Sequence, residues 1–144
     1  MTGTRTTQPS LAVDCVVFDP VGRVLLIHRK NPPFQGQYAL PGGYVEYGET
    51  TEHAAARELA EETGLTAVNV SLIGVYSDPH RDPRGHVVSV AYRTEVAGYD
   101  LRPGDDAAGA AFVTNWNDLE LAFDHRRIIE DAASVRGDML PTKG

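Results

Sequence analysis

The chain has 144 residues, 42% hydrophobic and 23% charged, with a formal net charge of −7. That length suits one domain with its own core, and an acidic balance without a long basic stretch argues against a nucleic-acid duplex as partner. A single cysteine, Cys15, rules out an internal disulfide, no apolar run reaches membrane-spanning length, and the polar start Met1–Ser10 lacks the apolar core of a secretion signal, so a cytoplasmic protein is expected.

Leu11–Phe18 reads as a strand that buries Cys15, and Asp19-Pro20-Val21-Gly22 as the turn after it. Val24–His28 is apolar enough for a central strand. Asn31–Gly36 is a proline-containing loop, and Tyr38–Leu40 a short strand leading into Pro41-Gly42-Gly43. The paired glycines permit a tight turn and close approach of backbone to a ligand, and Pro41 stiffens the lead-in. A helix is expected from Thr50 or Thr51, with threonine as N-cap, to Gly64, placed for a left-handed C-terminal residue. Its apolar face is assigned to Ala55, Ala56, Leu59 and Ala60. Val68–Tyr76, His86–Val96 and Ala110–Thr114 read as strands, and Trp116–Leu121 as a turn or short helix. Asp124–Val135 reads as a helix that Gly137 ends. One domain over residues 10–136 is expected, with flexible ends at 1–9 and 137–144.

The first helix carries the chemistry. At about 100° per residue, Glu58, Glu61 and Glu62 share one face. Like charges at these spacings repel. The pattern admits a solvated acidic face, or a site where a hard cation, held by carboxylates and substrate phosphates, removes the repulsion. The preceding Leu-Pro-Gly-Gly-Tyr run favours the second. Arg57 is either an ordinary surface ion pair or a clamp on a carboxylate, with Glu49 as its partner.

At this point the sequence resembles the Nudix hydrolases. The pattern G-x5-E-x7-R-E-U-x-E-E-x-G-U, with U a bulky aliphatic, is filled by Gly43, Glu49, Arg57, Glu58, Leu59, Glu61, Glu62, Gly64 and Leu65. The resemblance covers about residues 10 to 135. It implies a single α/β domain with the Nudix fold, a mixed β-sheet between helices (α/β/α). It implies hydrolysis of a nucleoside diphosphate linked to another moiety, a small-molecule nucleotide substrate, and Mg²⁺ or Mn²⁺. The Gly42 carbonyl, Glu58, Glu61 and Glu62 become the metal set; Gly43, Glu49 and Arg57 support them. Glu58, Glu61 and Glu62 are also the catalytic carboxylates. Glu58 or a later loop carboxylate, Asp106 or its neighbour Asp105, serves as general base, with Glu95 a weaker candidate. By analogy with family members of this size, a homodimer is expected; a membrane is not.

Tyr76–His86 is the second informative stretch. Its prolines hold an extended shape, and Arg81 and Arg84 offer guanidinium forks suited to a pyrophosphate. Arg-Asp-Pro-Arg-Gly-His followed by a strand, Pro79, and the later Leu-Ala-Phe-Asp-His resemble the ADP-ribose pyrophosphatase subgroup. Arg29, Arg81 and Arg84 are therefore assigned to substrate, and Phe34, Tyr38, Tyr44 and Tyr47 are candidate stacking residues. Two other readings stand beside this one: a pyrophosphohydrolase of oxidised or non-standard nucleoside triphosphates, and a non-catalytic ADP-ribose sensor. The five histidines form no recognised metal spacing.

Overall fold

The computed structural model describes residues 8–102 and 109–143, with side chains through Ser134. Asp105, Asp106 and the first seven residues of the expected N-terminal tail lie outside the described residues.

The elements are β1 (Ser10–Val16), β2 (Val24–His28), β3 (Tyr38–Ala39), β4 (Gly42–Tyr44), α1 (Thr51–Thr63), β5 (Ala67–Tyr76), β6 (Val87–Val96), β7 (Ala110–Val113), a 3₁₀ turn at Trp116–Asp118, and α2 (His125–Lys143). Four strands form one sheet in the order β4-β1-β6-β5, and three form another in the order β3-β2-β7. β1 and β6 run parallel and the other pairs antiparallel, so the sheet structure is mixed.

Alternation along the strands divides the core in two. Val13, Cys15 and Val17 of the first strand region and Leu25 of β2 pack with Ala54, Ala55 and Leu59 of α1. Val16, Val24 and Leu26 pack instead with Ile128, Ile129 and Ala132 of α2. The helices thus cover opposite faces of the sheets, the α/β/α arrangement expected. Each buried leucine or isoleucine contributes about 1.5–3 kcal/mol to holding these layers together.

Three local expectations differ. Gly42 and Gly43 form strand β4, paired to β1 through Asp14↔Gly42 and Val13↔Gly43, rather than a tight turn. On α1 the buried residues are Ala54, Ala55, Leu59 and Thr63, while Ala60 faces solvent, because the helix is rotated to bring Glu58 inward. And α2 continues through Gly137: a glycine inside a helix costs about 1 kcal/mol relative to alanine but does not of itself stop the hydrogen-bond ladder.

Candidate active site

Both ends of α1 are set by local chemistry. The Thr50 hydroxyl accepts the His53 N–H at 3.0 Å, and Gly64, at φ 78°, closes the helix in the left-handed conformation. Between them the acidic face meets β4. A Cβ at Gly42 would strike the Val13 carbonyl oxygen, and one at Gly43 would strike the Glu58 carboxylate. Glu58 therefore lies directly on bare backbone. The Gly42 N–H donates to Glu62 Oε1 at 3.0 Å, tying β4 to the other end of the acidic face.

Arg57 organises the carboxylates. Its Nε donates to Glu49 Oε2 at 2.7 Å and its Nη2 to Glu49 Oε1 at 2.9 Å. Nη1 donates to Glu58 at 3.1 Å and to Glu61 at 3.4 Å, and Nη2 also reaches the Tyr44 carbonyl at 3.2 Å. These hydrogen bonds hold Glu49 well below the usual carboxylate range and push Arg57 up. Glu58 goes the other way. Burial raises its carboxyl, against the pull of Arg57, and the charges of Glu61 and Glu49 add to the rise. Two glutamates of one motif thus sit in opposite electrostatic settings.

This donor set suits a hard divalent cation that keeps part of its water shell. Glu58, Glu61, Glu62 and the β4 backbone offer oxygen only, and the Glu58 carboxylate can lie over Gly43 because no Cβ fills that place. Among the described residues, no three acidic, histidine or cysteine side chains converge into a ready-made cage. Glu61 is the exposed member, its side chain 58% accessible.

A cavity of about 110 Å³ opens beside β4, bordered by Asp14, Gly42, Gly43, Glu62, Arg29, Arg84 and Phe123. Arg29 donates through Nε to the Pro33 carbonyl at 2.7 Å, an uncharged acceptor. Arg84 is held by Asp82 through hydrogen bonds of 3.0 and 2.8 Å. Arg81 differs from expectation. Its side chain is 5% exposed, its Nε and Nη2 are engaged by Asp124 at 2.9 and 2.6 Å, and Nη1 reaches the Val87 carbonyl. It borders the cavity as part of an internal bridge, while Arg29 and Arg84 border it without being bound to Asp124.

The floor holds residues that sequence reasoning passed over. Asp14 accepts the Ser89 hydroxyl at 2.5 Å and faces His125 Nε2 at 3.4 Å. His125 Nδ1 accepts the Leu40 N–H at 3.0 Å, which places its ring proton on Nε2, toward Asp14. Burial raises the Asp14 carboxyl and lowers His125. An aspartate inside the apolar run Ala-Val-Asp-Cys-Val was the signal available for it. Of the stacking candidates, Tyr44 borders the cavity. Tyr47 is fully exposed, Tyr38 packs edge-on against His28, and Phe34 packs against Phe123. Glu95 lies within β6, not on a loop. No helix among the described residues is long and apolar enough to cross a membrane.

The family model described as NUDIX domain matches residues 8–132. An ADP-ribose pyrophosphatase of Methanocaldococcus jannaschii is 53% identical over 124 residues, covering 86% of this chain and 73% of that protein. The crystal structure of a MutT/nudix family protein from Enterococcus faecalis has a TM-score of 0.81 at 32% identity, covering 96% of this chain and 66% of that one, just under two thirds of its length. The NUDIX domain of Shewanella oneidensis NrtR, cocrystallised with ADP ribose, also has a TM-score of 0.81, at 30% identity and with 90% and 89% covered. Taken with the complete signature on β4 and α1, these likenesses mean that the chain belongs to the Nudix hydrolase family and resembles its ADP-ribose pyrophosphatases.

Proposed function

We propose that this protein hydrolyses ADP-ribose to AMP and ribose 5-phosphate, in the cytoplasm, with Mg²⁺ or Mn²⁺ as cofactor. The observation that carries the reading is one cavity with an acidic wall on Glu62 and the β4 glycines and a cationic wall on Arg29 and Arg84. The 53% identity to the Methanocaldococcus ADP-ribose pyrophosphatase supports the choice of substrate.

Glu58, Glu61, Glu62 and the Gly42 carbonyl would hold the cation. When bound, it neutralises phosphate charge and eases deprotonation of water. The remaining work falls to the chain. Arg29 and Arg84 bind the diphosphate oxygens, Arg57 and Glu49 fix Glu58, and the anchor from Gly42 to Glu62 keeps β4 against the helix. Water attacks one phosphorus in line, the bond from that phosphorus to the bridging oxygen breaks, and Glu58 accepts the water proton at its carboxylate.

A panel of ADP-ribose, NADH, diadenosine polyphosphates and 8-oxo-dGTP, assayed with Mg²⁺, tests the reading. ADP-ribose is expected to lead. A preference for the triphosphate by about tenfold in kcat/KM would overturn the substrate assignment, and tight ADP-ribose binding without AMP release would replace the enzyme with a sensor.

A further inference from the structure

Phe123 is a non-glycine residue at φ 54°, a left-handed backbone that bulky side chains rarely adopt. Its neighbours impose it. The Ala122 N–H is fixed to the Tyr38 carbonyl at 2.9 Å. The Asp124 carboxylate is fixed to Arg81, and the His125 ring to the Leu40 N–H. With both sides anchored, the chain turns at Phe123 and delivers its ring into the cavity wall.

That ring meets two cations. The Arg29 guanidinium carbon lies 5.1 Å from the ring centroid and that of Arg84 5.7 Å. Phe34 braces the ring in a T-shaped contact at 4.8 Å. Two guanidinium groups sharing one apolar neighbour repel each other, and the negative face of an aromatic ring offsets part of that cost. Among the described residues, Arg84 alone of the two has a carboxylate within ion-pair distance, that of Asp82.

We propose that Phe123 is a positioning residue that sets Arg29 and Arg84 as a two-pronged clamp for a diphosphate. The strained turn is retained because it places the ring against both prongs. This rests on the reading of the cavity as a diphosphate site.

Steady-state kinetics of Phe123→Asn and Phe123→Tyr with ADP-ribose test it. Asparagine tolerates the left-handed backbone, so Phe123→Asn removes the ring while preserving the turn. It is expected to raise KM about tenfold with kcat within about twofold and the melting midpoint retained, and Phe123→Tyr to recover most of the loss. An unchanged KM in Phe123→Asn, or equal losses in both variants, overturns the clamp. A wild type that leaves ADP-ribose intact overturns the proposed substrate alone. The clamp is then read from calorimetric binding of inorganic pyrophosphate, where Phe123→Asn must bind about tenfold more weakly than wild type and an equal affinity refutes it.

Discussion

Arg57 grips Glu49 with two nitrogens and touches Glu58 with the third, so one guanidinium joins the loop before α1 to the carboxylate buried against β4. Glu49 is the residue that keeps Arg57 from turning wholly toward Glu58 and Glu61. Replacing Glu49 by Gln frees the fork to compete with a cation for those two side chains. Turnover is expected to fall about 10–100-fold, with more Mg²⁺ needed for half-maximal rate. A metal titration of activity in the variant checks this, and a curve superimposing on wild type would remove Arg57 and Glu49 from the supporting role.

Glu58→Gln keeps the shape of the side chain and its place over Gly43 but cannot take a proton. A loss of about 10²–10⁴-fold in kcat is expected, with an unchanged circular dichroism spectrum. Asp106→Asn is the companion experiment. If Glu58→Gln retains near-wild-type turnover at saturating Mg²⁺ and Asp106→Asn does not, the base lies on the later loop.

Two of the three arginines assigned to substrate from sequence, Arg81 and Arg29, should separate by assay. Arg81→Ala strips Asp124 of its partner and is expected to cost about 2 kcal/mol, a figure reduced from the fully buried case because Asp124 is partly exposed. Arg29→Lys leaves no carboxylate stranded. It should keep the urea midpoint and raise KM about tenfold, since a point charge replaces a planar fork. Urea unfolding and kinetics on both variants decide the matter. A large KM effect at Arg81 with no loss of stability would return it to the substrate.

Acid should unfold the protein partly through Asp82. Burial would raise its carboxyl, but the Arg84 side-chain and backbone hydrogen bonds prevail and leave it below the ordinary value of 3.8. A carboxyl with a depressed folded value contributes stability that is complete above 3.8 and is lost as the pH falls through the lower folded value. Asp19, lowered by its bonds from Arg23 despite burial, acts with the same sign. Urea midpoints measured from about pH 6 to pH 3 should therefore drop less steeply in Asp82→Asn than in wild type. Parallel slopes would count against the coupling.

What could be read from sequence was local. Thr50 and Gly64 are capping residues whose preferences act within one turn, and they bound α1 where expected. The pairing of Arg57 with Glu49 spans eight positions along one loop and helix, within reach of pattern reasoning. The bridge from Arg81 to Asp124 spans 43 positions and the bond from Leu40 to His125 spans 85. Neither leaves a periodic trace, because each depends on how the loop before β6 and the link from β3 to β4 meet the start of α2. The same holds for β4. Its glycines signalled intimacy with a neighbour, but that the neighbour is β1 on one side and Glu58 on the other follows only from the assembled layers.

The fit at Gly43 leaves no allowance for even one more carbon. A methyl group there displaces the Glu58 carboxylate from its seat, while Arg29 and Arg84 lie outside its reach. On the proposed reading, loss of chemistry and loss of recognition therefore come apart at this one position.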